Sequence, residues 1–417
     1  MNSDNLLDKM KGLADDARYL MTVPALRGTM GSIEYFTITL PYSVVTRYLT
    51  TTDRSLPPKE RENRKPTPSR YGVIADYITK NPDTYRFSSL TCTHGKDGTH
   101  APVRWKSIEP SGDLSLIGVL TLDNRDPLII VDGQHRFEGI KKALDQDPSV
   151  VDDMISVVLF PYIDLRAAQQ LFSDLNRNAK KTTKSLDILF DRRDVVNRVV
   201  QKLVGKVSVF EDRVNLEDAG IPTQSKDMFT LAGIYQATDP MIDVIFEAGL
   251  LPEVLVPKDS QGDPIKDSQG NPITNEDKYI DFLADVWEFI ALRFPEWGKV
   301  ASGELDIRDV RSKYLHWNSG VISAIGEFIA TSMREKGQDW QQPVTIALGH
   351  PDNRGWRRNE THWQGIITAG TQVLPRSAVK PQLKAYLKRL AGLALTPGDE
   401  KNLEAVEERK KQLEAIS

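Results

Sequence analysis

The chain has 417 residues, 40% of them hydrophobic and 27% charged, with a formal net charge of −4. That length exceeds what one hydrophobic core usually holds, so two packed units of an ordinary soluble protein are expected. The charge balance excludes a uniformly basic surface, and the lack of any apolar run of about 18 residues excludes a membrane-spanning helix.

The polar, amphipathic N-terminus has neither the apolar core nor the small-residue cleavage site of a secretory signal. A single cysteine, Cys92, leaves no intramolecular disulfide framework. Both features fit a reducing cytosol, and a cytoplasmic location is expected.

In chain order, residues 4–20 read as a short amphipathic helix and 33–41 as a strand. The proline-rich charged stretch 52–69 reads as an exposed loop. Residues 71–82 form a helix stopped at Asn81-Pro82. Strands follow at 85–93, 113–123, 127–131 and 155–163, with helices from Arg136 to about Leu144 and over 165–181. Within that last helix Leu165, Ala168, Leu171, Phe172 and Leu175 follow a spacing of three and four, which places Phe172 in the core. The order strand–helix–strand–helix over 113–181 argues for an α/β core, within a first domain over 1–181. Beyond it, 182–417 reads as mainly helical, with helices over 185–204, 226–238, 277–294, 316–336 and 398–415. The overall class is therefore mixed α/β with a helical C-terminal half. An eight-residue duplication, KDSQGDPI and KDSQGNPI, occupies 258–273 within an inserted loop over 257–275. It reads as a protruding hairpin or mobile loop.

Three stretches carry polar chemistry. In PLIIVDGQHRFEGIKK (127–142) a buried strand runs through Asp132 and Gly133 straight into a helix. Free amides at a helix start, aligned with the helix dipole, favour an anion. Gln134, His135 and Arg136 stand at that junction, and the planar fork of an arginine matches phosphate oxygens. The plainer alternative is a structural turn in which Asp132 and Arg136 pair with each other. In the second stretch, Gln169, Phe172 and Asn176 share one face of the 165–181 helix. In the third, nine Lys/Arg stand against three Asp from Arg177 to Lys206, a local charge of +6. From this segment Arg177, Lys180, Lys181, Lys184, Arg192 and Arg193 are the candidate contacts to double-stranded DNA, with a solvated helix face as the alternative.

The six histidines form no metal-binding pair, and Walker and GxSxG motifs are absent, so no metal site is expected. The segment GWRRNETHW (355–363) reads either as a base-stacking surface or as a polar rim on core tryptophans.

DGQHR at 132–136, preceded by a strand, resembles the signature of DGQHR-domain proteins. QQLFSDLNRNAKKTTKS (169–185) resembles the QxxFxxLN segment that accompanies it. With PALRG (24–28), SRYGVIADYI (69–78), YRFSSLT (85–91) and SKDMFTLAGIY (225–235), the chain resembles the DndB family of DNA phosphorothioation clusters. The resemblance spans about residues 20–240, and the C-terminal 175 residues carry no match. It implies a ParB/sulfiredoxin-like core whose turn binds nucleotide phosphates through Asp132, Gly133, Gln134, His135 and Arg136, with Gln169 and Asn176 alongside. It further implies a DNA-binding transcriptional repressor of the modification genes rather than a sulfur-transfer catalyst. A relative in the 7-deazaguanine modification system implies the alternative, an ATPase or DNA-nicking accessory enzyme using ATP with Mg²⁺. In that alternative Asp132 recruits the cation and His135 orients phosphate or shuttles a proton. Other proteins of the cluster and further copies of the chain are expected partners.

Overall fold

The computed structural model describes residues 20–51, 57–61, 68–95, 103–123, 125–126, 128–177, 182–268 and 272–415. The expected helix at 4–20 lies almost wholly outside them. The chain divides into two compact units, Met1–Lys180 and Lys181–Ser417. Among the described residues no helix is long and apolar enough to cross a membrane.

The first unit is built on β1 (Leu20–Met30), β2 (Ile33–Pro41), α1 (Tyr42–Tyr48), β3 (Leu49–Thr50), α2 (Ser69–Lys80), β4 (Leu90–His94), β5 (Val103–Ser107), β6 (Ile117–Asp123), β7 (Leu128–Asp132), α3 (Gln134–Gln146), β8 (Met154–Pro161) and α4 (Leu165–Arg177). The strands form one mixed sheet in the order β3-β7-β4-β8-β2-β1-β6-β5. Strand β4 runs parallel to β8 and antiparallel to β7. All five residues of β4 are buried, as are Leu128–Val131 of β7, so these strands lie at the centre of the core. Helices α2 and α3 pack closely because Gly139 has no side chain; a Cβ there would lie 2.3 Å from Ile74.

Two departures from the sequence reading have local causes. The strand expected from residue 85 begins at Leu90, because Tyr85 and Phe87 instead cluster with Tyr77 of α2, their ring centroids 5.6–6.3 Å apart. Strand β1 was not expected, since Pro24 and Gly28 disfavour extended pairing. Pro24 is tolerated because it pairs only with β6; the β2 register starts one residue later, at Ala25. Gly28 is covered by the ring of its cross-strand neighbour Tyr35.

The second unit holds α5 (Lys184–Phe190), α6 (Val195–Val204), the paired two-residue strands β9 (Val214–Asn215) and β10 (Phe229–Thr230), then α7 (Leu231–Ile245) and α8 (Glu276–Ala291). After these come α9 (Pro295–Ala301), α10 (Ile307–Val310), α11 (Ser319–Lys336), α12 (Gln341–Leu348), the hairpin β11 (Thr368–Ala369) and β12 (Gln372–Val373), α13 (Arg376–Ala391) and α14 (Pro397–Glu414). Its core is aromatic. Trp297 lies 4.7 Å from Phe294 and 4.8 Å from Phe229, and Phe210 lies 5.0 Å from Trp287, centroid to centroid. Trp356 and Trp363 stack at 4.8 Å and are buried, so the GWRRNETHW segment contributes its tryptophans to the core rather than to a base-stacking surface.

The expected helix over 185–204 is two helices. The run Asp191–Asp194 breaks it, with Asp194 capping α6 by accepting from the Asn197 amide at 3.0 Å. The helix expected from 226 begins at Leu231, after β10. In the duplication each copy closes on itself, Lys258 bridging Pro264 and Lys266 bridging Pro272. The second copy stacks on the first through Ile273 N–H to Ile265 O at 2.8 Å, and Ile265 N–H ties the end of the first copy to Pro257 O at 3.0 Å.

Candidate functional site

The junction of β7 and α3 has the expected form. The buried strand ends at the half-exposed Asp132, and the next residue turns the chain into the helix. That turn requires a left-handed backbone, which Gly133 supplies with φ of 96°. A side chain is also barred sterically, because a Cβ would lie 2.5 Å from Leu90 Cδ2 and 2.8 Å from Arg136 Nη2. Gly133→Ala is therefore expected to cost about 1–3 kcal/mol in backbone strain alone. The shift of the urea midpoint measures it, and an unchanged midpoint contradicts the geometry.

Arg136 folds back over Gly133. Its Nη2 donates to Asp132 Oδ2 at 2.8 Å and to Ser89 O at 3.1 Å, and its Nη1 donates to Ser88 Oγ at 2.6 Å. Of the two arrangements the sequence leaves open, the Asp132–Arg136 pair is the one formed. The Nε of Arg136 is buried with no acceptor among the described residues. The first-turn amides of α3 have no intrahelical partner, as at any helix start. Gln134 is buried, and its amide donates to Val131 O at 3.3 Å, so it braces the turn from inside. The half-buried His135 ring lies 6.3 Å from the Tyr71 ring of α2.

The α4 residues are occupied elsewhere. Gln169 donates to Lys59 O at 3.2 Å and to Arg61 O at 2.8 Å, pinning the segment 57–61. Asn176 is exposed, and its amide returns to Phe172 O at 2.8 Å within the helix. Phe172 is half-buried rather than in the core; Ala168 is the fully covered residue of this face. The apolar side of α4 instead roofs a cavity of about 520 Å³ lined by Thr91, Thr93, Phe160, Ala168, Leu171 and Leu175. Thr91, on its floor, is the cross-strand neighbour of Asp132. The sequence reading missed Arg61. It sits in a stretch read as exposed, yet it is 8% exposed, and its Nε and Nη1 have no acceptor among the described residues.

The basic segment changes character in three dimensions. Arg198 Nε donates to Glu276 Oε1 at 2.8 Å, Lys202 lies 3.5 Å from Glu276 and Asp277, and Lys206 pairs with Asp281. Three cations of α6 and the loop after it are thus met by three acids of α8. Burial alone would raise the carboxyl of Glu276, but the Arg198 guanidinium outweighs it and holds the group below the usual range. Lys184, Arg192 and Arg193 remain exposed beside the exposed ring of Phe190, with Asp187, Asp191 and Asp194 in the same depression. The Lys184 ammonium lies 4.9 Å from the Tyr235 ring centroid. Lys180, Lys181 and the side chain of Arg177 lie outside the described residues. Among the described residues no group of three or more His, Cys, Asp or Glu is placed to hold a metal ion.

The sequence model of the DndB family, described as DNA-sulfur modification-associated, matches residues 23–393. The chain belongs to the DndB family. No curated protein and no solved structure matches it. The match extends well past residue 240, where the motif resemblance ends, and takes in the 258–273 duplication and most of the helical unit. In this DndB-family chain the DGQHR turn and the helical second unit therefore both belong to the family pattern. DNA sulfur modification is the setting in which both work.

Proposed function

We propose that this protein is a DNA-binding regulator, a transcriptional repressor of the modification genes, whose DGQHR turn takes a nucleotide. The observation that carries the reading is family membership over 23–393 together with the exposed Lys184, Arg192 and Arg193 beside Phe190. Phosphate contacts from such side chains dominate DNA affinity and make it salt-dependent. The three acids in the same depression oppose a broad non-specific hold and favour a narrow contact through the arginines. In this reading the first unit keeps a ParB/sulfiredoxin-like plan, and ATP with Mg²⁺ docks at the start of α3. Its phosphate displaces Asp132 from Arg136.

Anisotropy titrations with promoter duplex over about 50–200 mM salt test the DNA reading. Arg192→Ala/Arg193→Ala is expected to weaken binding at every sequence and to reduce the salt slope by about two. Lys206→Ala, whose charge is already met by Asp281, is expected to change little. A double variant that binds like the parent protein rules out this face. For the nucleotide, ATP is expected to raise the melting temperature of the parent protein but not of Arg136→Ala. DNA affinity that is identical with and without ATP removes any switch between the two sites.

A further inference from the structure

We infer that the second unit carries a further contact to DNA, a cationic groove that grips the sugar–phosphate backbone without reading its sequence. It builds on the regulator reading above and adds a second face to it. The groove has a volume of about 580 Å³ and is lined by Lys313, Arg357 and Arg358 together with Ser312, Asn359 and Thr371. No carboxylate among the described residues lines it, in a chain whose net charge is −4. Lys313 and Arg357 are exposed, and neither has an ion-pair partner among the described residues. Lys202 and Lys206, by contrast, are met by acids of α8. Of the acids nearby in the chain, Asp306 is held by Arg308, which keeps its carboxyl far below the usual range, and Glu360 is half-buried. Neither they nor Asp309 line the groove.

The two arginines belong to GWRRNETHW, the segment whose tryptophans enter the core. Gly355 and Trp356 are both left-handed, with φ of 67° and 61°. That is ordinary for glycine and rare for tryptophan. The strain persists because the Trp356 ring is buried against Trp363 at 4.8 Å and Phe294 at 5.6 Å, centroid to centroid. With that ring fixed inside, the chain turns Arg357 out to the surface. Antiparallel backbone contacts, Leu315 N–H to Trp356 O at 2.9 Å and Arg358 N–H to Lys313 O at 2.8 Å, set Lys313 beside the arginines. The Arg357 guanidinium lies 5.4 Å from the Tyr314 ring centroid. Arg358 Nη2 donates to Thr371 O at 2.7 Å, which ties it to the hairpin of β11 and β12 through one of its five N–H groups. Gln364 braces that hairpin by two bonds with Gly370, its amide donating to Gly370 O at 2.9 Å and its Oε1 accepting from Gly370 N–H at 2.8 Å. The cations are thus placed before a ligand arrives, so less side-chain freedom is lost on binding.

The chemistry of the lining selects the partner. Arginine and lysine beside serine, threonine and asparagine side chains are the groups that contact phosphate and sugar in protein–DNA complexes. No aromatic or aliphatic side chain among the described residues lines the groove. It therefore offers no slot for a nucleobase and no pocket for the apolar anchor on which protein partners depend. A repeated anion is what remains complementary to it, and the setting of the family, DNA sulfur modification, supplies DNA. Such a contact sets affinity and orientation and leaves the choice of sequence to other surfaces.

Anisotropy titrations of the full chain with a promoter duplex and with a scrambled duplex of the same length test the groove. Lys313→Gln/Arg357→Gln, both at exposed positions, is expected to weaken binding of both duplexes at least tenfold at about 100 mM salt and to reduce the salt slope by about two. Thr371→Glu adds an acid at an exposed position and keeps all three cations; it too is expected to weaken both duplexes. Melting temperatures matching that of the parent protein show that the variants are folded. Unchanged affinity in the folded variants overturns the inference, and so does a loss confined to one duplex, which means base readout. Unchanged duplex affinity with weakened binding of poly-glutamate also overturns it and identifies an acidic protein segment as the partner. Arg192→Ala/Arg193→Ala, titrated alongside, separates the groove from the face proposed above. Weakening in that variant alone removes the groove and leaves the regulator reading standing, whereas a parent protein that binds neither duplex removes both.

Discussion

Replacing Lys388 with methionine is expected to destabilise the second unit by about 3–5 kcal/mol, the largest single effect the structure implies. Lys388 and Asp399 are both buried, and Nζ lies 2.5 Å from Asp399 Oδ2. The same oxygen accepts from Thr396 N–H and Thr396 Oγ, each at 2.9 Å, so it also closes the capping box that starts α14. Removing the lysine strands a carboxylate in the interior while leaving the cap. Burial alone would raise the carboxyl of Asp399, but the donation from Lys388 and the Thr396 contacts outweigh it and hold the group below its ordinary range. In the parent protein this contributes stability above the unfolded carboxyl pKa of about 4 that is lost as pH falls through the lower folded value. In Lys388→Met the stranded acid gains by protonation, so the deficit should shrink as pH falls. Urea midpoints at neutral and acidic pH check both statements, and Lys388→Met/Asp399→Asn should recover part of the loss. A deficit that is independent of pH, or a double variant no better than the single one, contradicts the account.

The second large effect is acid sensitivity of the first unit through His94. Its ring is buried at the end of β4, and neither nitrogen has a hydrogen-bond partner among the described residues. Burial pushes its pKa down from 6.5 to about 4. The native state therefore holds it neutral, while the unfolded chain takes up a proton below pH 6.5. Stability from this group is complete above 6.5, declines as pH falls towards 4, and levels off below that. The loss amounts to about 3 kcal/mol. His94→Leu removes the titration and keeps an apolar body in the site. The difference in unfolding free energy between this variant and the parent protein should change by that amount between pH 7 and pH 4. A constant difference would show that the imidazole is not kept neutral by its surroundings.

These two groups lie outside every motif that can be read from the sequence, and the reason is physical. Elements were legible where one segment carries its own instructions. Strand β2 has the bounds that its β-branched and aromatic residues suggest, and the Asp-Gly break places the β7–α3 turn. Helix α7 extends past 238, where the sequence reading ends it, although Pro240 follows. It continues to Ile245 because Pro240 frees only the carbonyl of Gln236, which then accepts from Ser323 Oγ at 3.5 Å across the crossing with α11. That crossing depends on Gly326, whose absent side chain lets α11 approach the backbone of Ala237. Helix α13 was missed for a related reason, since Pro381 lies within its first turns.

By itself the sequence determined the mixed α/β class, the strand-to-helix corner at Asp132–Arg136 and the family to which the chain belongs. Those features rest on local backbone preference and on residues adjacent in the chain. Tertiary structure alone decided how charge and burial are distributed. A segment that sums to +6 along the chain loses three of its cations to acids of α8 lying 75 or more residues further on. Arg61 is enclosed although its neighbours in sequence are polar. Coulomb and desolvation energies depend on distance through space, and only the packed chain sets that distance.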